Sequence, residues 1–271
     1  MSPAWHLFTH ELRRNRRQAI AWTGIVAGLV VLYSLFLPSI AESGDTFAGM
    51  LEAYPEGLLK ALNIEDAAMF VTPLGFHVTE SGIVITILGG IFAASLGANL
   101  LLKEERDRTA EFLLAQPLSR LQVWAGKAAA AYVYVIAFNA VTFAVSAAAV
   151  TGFSPDPVDL RALFIYDVYV LLLTTLLAAL GLLLSAAVRR GRSMTGVAVA
   201  IALGGFFVDA ISKTTEQARL IGYLSPYRFL DVSVLDPDYG ITLGRLAYFL
   251  LGTAVLLTAS ALQYRRKDIV V

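Results

Sequence analysis

The chain has 271 residues, and 57% of them are Ala, Val, Ile, Leu, Met, Phe, Trp, Tyr or Cys; counted with Gly in and Tyr out, the apolar share is about 61%, against about 45–50% in soluble domains. Charged residues make up only 15%, and 21 Lys and Arg offset 21 Asp and Glu, so no bulk charge draws the chain to nucleic acid. The absence of Cys removes a disulfide framework, a thiolate metal site and a Cys nucleophile together, and three His (His6, His10, His77) leave little for a His-rich metal site.

A composition this apolar belongs in a membrane. A bilayer core about 30 Å thick needs roughly 20 mostly apolar helical residues, because every backbone polar group must be satisfied within the segment. Six stretches qualify, at 19–37, 82–102, 128–150, 163–188, 194–211 and 241–262, the fifth being the shortest. Of the 21 Lys and Arg, fifteen fall before the first stretch, between the second and third, between the fourth and fifth, and after the sixth. Basic residues stay on the cytoplasmic side, so both termini are expected there, in agreement with an even number of spans. The start also imitates a cleaved signal peptide, with Ser39-Ile40-Ala41 after an apolar run. That run is longer than the usual 7–15 residues, and cleavage would spoil the charge alternation.

In chain order, residues 3–17 set Trp5, Phe8 and Leu12 against four Arg, which predicts an amphipathic helix (residues 1–18) at the interface, beside anionic headgroups. The acidic segment 40–81 carries an amphipathic stretch over 47–62, interrupted at Tyr54-Pro55. It reads as two short helices capping the outer surface, with His77 exposed. Residues 103–120 are too charged to cross: Glu104, Glu105, Asp107 and Glu111 alternate with Arg106 and Arg108, and Phe112, Leu113 and Leu114 follow. Pro117 breaks this helix. Ser119 and Gln122 then have the spacing of a capping box, so a new helix should run from near Arg120 to about Val150, some 45 Å and longer than the hydrocarbon core. The product is a rigid elbow between two continuous helices.

Within the spans, Asp167 and Asp209 lie near outer ends, where the headgroup region lowers their cost. Asn99, Asn139, Thr142, Ser146, Thr174 and Thr175 suit hydrogen bonds between helices. Gly82, Gly89, Gly90 and Gly97 in span two, with Gly196, Gly204 and Gly205 in span five, allow close helix approach. No acid–base pair, nucleophile arrangement or metal spacing is present, so no catalytic, cofactor or metal residue is assigned.

The elbow resembles the characteristic stretch of type-2 ATP-binding-cassette (ABC-2) transporter permeases, through Glu104, Glu105, Thr109, Glu111, Leu113, Leu114, Pro117, Ser119, Arg120, Gly126 and Lys127. Arg108 stands where those permeases usually have Gly, which predicts a turn held more tightly in helix before Thr109. The resemblance extends to the six-span layout, the basic N-terminal helix and Leu224-Ser225-Pro226-Tyr227. It implies an all-α polytopic fold over 1–271 as one transmembrane permease domain in the cell membrane. Residues 103–118 would be the coupling elbow in a cleft of a cytoplasmic ATPase subunit, with Arg120 and Lys127 anchoring its return. Segments 40–81 and 212–240 would be extracytoplasmic, the latter forming short re-entrant helices. The chain has no Gly-x-x-x-x-Gly-Lys-Ser/Thr loop, so ATP and Mg would sit on the partner ATPase. A second permease subunit, a homodimer by default, would complete an exporter working by alternating conformations. Spans two and five, with Gly89, Gly90, Gly97, Gly204 and Gly205, would wall the path and the dimer. The lack of a charged ring favours amphipathic or hydrophobic cargo. Two other readings stand beside it: a six-span secondary transporter or channel without an ATPase, and a membrane anchor or assembly subunit.

Overall fold

The computed structural model describes residues 3–51, 53–61, 70–111, 116–188 and 193–267, and among them all regular structure is helical. Six helical runs are long and apolar enough to cross a membrane. The first is α1 (Pro3–Ser34), a single 32-residue helix. Residues 3–17 are therefore not a separate helix but run without a break into the first span. Pro3 occupies the start of the helix, where its missing N–H is harmless, and the next Pro is Pro38, so nothing interrupts the chain between. Leu7, Glu11, Ala19, Val26 and Val30 recur at helical spacing and are its buried face.

Three short helices follow, α2 (Leu37–Glu42), α3 (Gly44–Leu51) and α4 (Glu56–Ala61), with the expected break at Tyr54-Pro55. Span two starts earlier than its apolar run suggests. It begins with α5 (Pro73–Phe76), capped by the Thr72 side chain, which accepts from the Gly75 N–H at 3.1 Å. A π turn (His77–Ser81) carries the chain into α6 (Gly82–Leu100). His77 is consequently buried, not exposed, and neither ring nitrogen has a hydrogen-bond partner. The correction has a simple cause: the last residues of the outer segment continue span two and pack beside α1.

After α7 (Lys103–Arg106) comes α8 (Arg120–Phe153), whose N-terminus carries the predicted capping box: the Gln122 N–H donates to Ser119 Oγ at 3.2 Å, and the Ser119 N–H donates to Gln122 Oε1 at 2.8 Å. At 1.5 Å per residue it is about 50 Å long. Then come α9 (Leu160–Ala187), capped by Asp159, and α10 (Thr195–Ser212). Two 3₁₀ turns (Ile221–Leu224 and Pro226–Phe229) precede α11 (Leu243–Arg266).

Helices α6 and α9 form the centre, with α1 on α8, α11 on α9 and α10 on α6. Small residues set the central crossing. A Cβ on Gly97 would stand 2.3 Å from the Ala178 carbonyl oxygen, and one on Gly181 2.3 Å from that of Ala94, so the two backbones touch where no side chain fits. Gly89 leaves room for the Phe138 ring, which packs on Phe92 at 5.2 Å between centroids. Polar residues mostly stay within this packing. Asn139 Nδ2 donates to Thr174 Oγ1 across α8 and α9 at 3.0 Å; Thr142 and Thr175 bond carbonyls of their own helices, and Ser146 has no partner.

Asp167 and Asp209 are both covered by protein. Asp209 pairs with Lys213 one turn on, at 2.7 Å, while Asp167 has a buried Oδ2 without a hydrogen-bond partner. The 212–240 segment folds back over their ends and so removes the exposure that their positions near span termini suggested. Its Tyr227 is buried in a notch made by two glycines, with its hydroxyl over Gly90 and its ring edge against Gly205. Ser225 Oγ fixes this entry by donating to the Gly205 carbonyl at 2.6 Å.

Candidate functional site

The charged elbow lies where α6, α7 and α8 meet at the basic end of the bundle. Its geometry starts from Lys127, on the second turn of α8 and fully buried. All three of its N–H donors are used: on Glu11 Oε1 at 3.0 Å, on Glu104 Oε1 at 2.7 Å and on the Leu100 carbonyl at 2.9 Å. Glu11 is fully buried too, and its other oxygen takes Asn15 Nδ2 at 3.1 Å and faces Lys103 Nζ at 3.6 Å. An apolar interior accepts such charges only when they are paired and hydrogen-bonded, and here the pairing is nearly complete. Burial pulls the Lys103 ammonium below its ordinary value, against the attraction of Glu11.

A second lock stands beside the first. Glu105 Oε1 meets Lys267 Nζ at 2.6 Å with both side chains buried, Lys267 also reaches the Ser185 carbonyl at 3.5 Å, and Arg120 donates to the Lys267 carbonyl. The Leu101 N–H, beyond the end of α6, donates to Ser185 Oγ at 3.1 Å. A third lock is exposed: Arg14 Nη2 lies 2.5 Å from Asp107, which Arg106 also contacts at 3.3 Å. Slight burial raises the Asp107 carboxyl, but the bonds and charges of Arg106 and Arg14 outweigh this and hold it below the ordinary carboxylate range.

The predicted elbow residues therefore separate by direction. Glu104 and Glu105 turn inward to Lys127 and Lys267, whereas Glu111 and Pro117 are exposed and Thr109 is half-buried. Ser119 caps α8 and Arg120 ties it to the end of α11. Leu113 and Leu114 lie outside the described residues. Arg108 departs from expectation. Its φ of 54° places it in the left-handed region, so the turn before Thr109 leaves the helix instead of tightening it. This is a position that glycine fills without strain.

Of the glycines assigned to close approach, Gly89, Gly90, Gly97 and Gly205 each have a neighbour closer than an ordinary Cβ contact, and Gly204 faces open space. Sequence reasoning missed Glu11, Asn15 and Ser185. A signal for Glu11 existed: it lies four residues after Leu7 on the apolar stripe, an acid on the wrong face of an Arg-rich helix.

The described residues are all helical where regular, with six helices long and apolar enough to cross a membrane and an ion-paired elbow between the second and third, which is the architecture of a polytopic membrane protein. Its residues 5–269 match the family described as ABC-2 family transporter protein, and the chain belongs to that family. Permeases of the family are the membrane components of transporters, not themselves catalytic, and typically work with ATPase partners. No curated protein matches the chain.

Proposed function

We propose that this permease is the membrane subunit of an ATP-binding-cassette exporter, with its elbow seated in a separate cytoplasmic ATPase that binds ATP and Mg. The observation that supports this most is the division of the elbow into an anchored root and an exposed tip. At the root, Glu104 and Glu105 are fastened to α8 and α11, and Glu11 and Arg14 tie α1 to the same place. At the tip, Arg108, Glu111, Gln116 and Pro117 are exposed. A push on the tip would thus reach α1, α6, α8 and α11 together, as alternating conformations require. In this reading Glu104 and Glu105 transmit the movement, and Glu111 with Arg108 forms the docking contact.

The basic end is cytoplasmic in this account, which puts both termini there and the protein in the cell membrane, with 40–81 and 212–240 outside. A second copy of the chain completes the exporter. The central α6 is largely covered by α9, α10 and α1, whereas α10, like α1 and α11, keeps an uncovered face, and in this reading it is α10 that meets the second copy.

The test is co-purification in detergent with a cassette ATPase encoded beside this chain, followed by ATP hydrolysis in lipid. A stable complex whose hydrolysis is vanadate-sensitive, and which Glu111→Lys weakens without loss of folded permease, supports the reading. A chain that transports without any ATPase overturns it in favour of a secondary transporter.

A further inference from the structure

A cavity of about 260 Å³ opens at the basic end among α1, α6, α7 and α10, beside the ion-pair locks. Three cations line it, Arg14, Lys103 and Arg106, together with the amides of Gln18 and Asn99 and the side chain of Ser95. We propose that this cavity binds the phosphate of an anionic phospholipid headgroup.

Ser95 supplies an observation independent of the charges. It is 3% exposed, and its hydroxyl has no hydrogen-bond partner. Helical Ser and Thr in an apolar setting ordinarily bond the carbonyl one turn back, as Thr86 and Thr174 do here. Ser95 instead stands in the cavity wall with an unused donor whose oxygen is enclosed, and rotation of that hydroxyl toward the cavity would let a phosphate oxygen accept from it. Asn99 holds one edge of the site in place: its Oδ1 accepts the Met194 N–H at 3.1 Å and its Nδ2 reaches Thr195 Oγ1 at 3.0 Å.

The balance of charge selects the ligand. Glu11 and Asp107 face the three lining cations, and Glu104 and Lys127 stand behind Glu11. Among these described residues four cations meet three carboxylates, leaving one positive charge. A phosphodiester carries one negative charge and matches it, whereas a doubly charged free phosphate overfills it. Leu96 and Leu100 continue the lining in apolar side chains, as a glycerol backbone entering from the bilayer needs. The site also lies where α6 ends and α10 begins, at the depth at which spans meet headgroups.

The test uses the full chain purified in detergent, with native mass spectrometry to count bound lipid. Phosphatidylglycerol should be retained about tenfold more strongly than phosphatidylcholine of the same acyl chains. Arg14→Gln and Arg106→Gln should each reduce that retention about fivefold. Ser95→Ala should reduce it a few-fold without lowering the melting temperature measured in the absence of lipid, which separates ligand loss from misfolding. Equal retention of the two lipids, or retention unmoved by all three substitutions, overturns the proposal. Saturation by inorganic phosphate without preference for phosphatidylglycerol also overturns it, in favour of a soluble anion. The ATPase plays no part in any arm, so failure here and failure of the exporter reading are distinct.

Discussion

Lys127 illustrates how a single buried charge decides the behaviour of its surroundings. Its ammonium is enclosed by Glu11, Glu104 and the Leu100 carbonyl, so removing it strands two carboxylates in a dry interior. Lys127→Met should cost about 3–5 kcal/mol, read as a fall in detergent unfolding midpoint. Adding Glu11→Gln should recover part of that loss, because the second substitution removes a charge the first left unpaired. A loss no larger than that of an exposed lysine would show the cluster to be solvated. Arg108 makes the opposite case. A side chain at φ 54° sits in a conformation that costs an L residue roughly 1–2 kcal/mol, part of which glycine gives back through its freer unfolded chain. Arg108→Gly should therefore stabilise the permease by about 0.5–1 kcal/mol, a rise in unfolding midpoint with no change in helix content by circular dichroism. The residue type was legible in sequence as a departure from a glycine. The sign of φ was not, because it depends on how the chain leaves α7.

At the scale of elements, the spans were legible because length and apolarity are properties of a continuous run, and the start of α8 was legible because a capping box is a local spacing. What depends on a neighbour was not. Glu11 meets Lys127 across 116 residues, so the Arg-rich opening of α1 read as a surface helix when its buried face is part of the bundle. His77 read as an outer-loop residue because the apolar run starts at Gly82, whereas α5 and the π turn extend the span back to Pro73. The α6–α9 crossing is a similar case: glycines in span two indicated close packing, and only the fold shows that Gly97 meets α9 and that Gly90 and Gly205 both receive Tyr227. The crossing admits a sharp test. Gly97→Ala puts a methyl within 2.3 Å of a backbone carbonyl, where no flexible side chain can yield, so the helices must separate. It should destabilise by about 1–3 kcal/mol, whereas Gly24→Ala, in open space on α1, should be neutral or slightly stabilising. Comparable thermal unfolding of the two variants would place the crossing elsewhere.

The whole molecule presents its spans unequally to the surroundings. The most apolar window of α6 is 72% buried, against 22% in α1, 22% in α10 and 11% in α11, so three helices keep broad uncovered faces. Lipid can cover any of them, but the residues differ. On α11 the uncovered side chains are branched and bulky, including Leu250, Leu251, Val255 and Leu262, which suit acyl chains. On α10, Gly196 and Gly204 have nothing near the position of a Cβ, and on α1 neither do Gly24 and Gly28. With no hydrophobic drive between helices in a bilayer, association relies on close van der Waals packing, which small residues permit and branched ones obstruct. Of these faces the branched one of α11 suits such a contact least, so a symmetric dimer through α10, the partner face proposed above, should leave α11 to lipid. The absence of native Cys makes this directly measurable, since a single introduced Cys is the only thiol in the chain. Under oxidation in native membranes, Gly204→Cys should give a covalent dimer, because a disulfide needs Cα atoms about 4.4–6.8 Å apart and only a close helix pair brings them there. Val255→Cys, on the uncovered face of α11, should remain monomeric under the same conditions. The reverse pattern would move the interface to α11 and leave the open glycines of α10 facing lipid, and monomer from both would mean that neither helix lies at a symmetric contact.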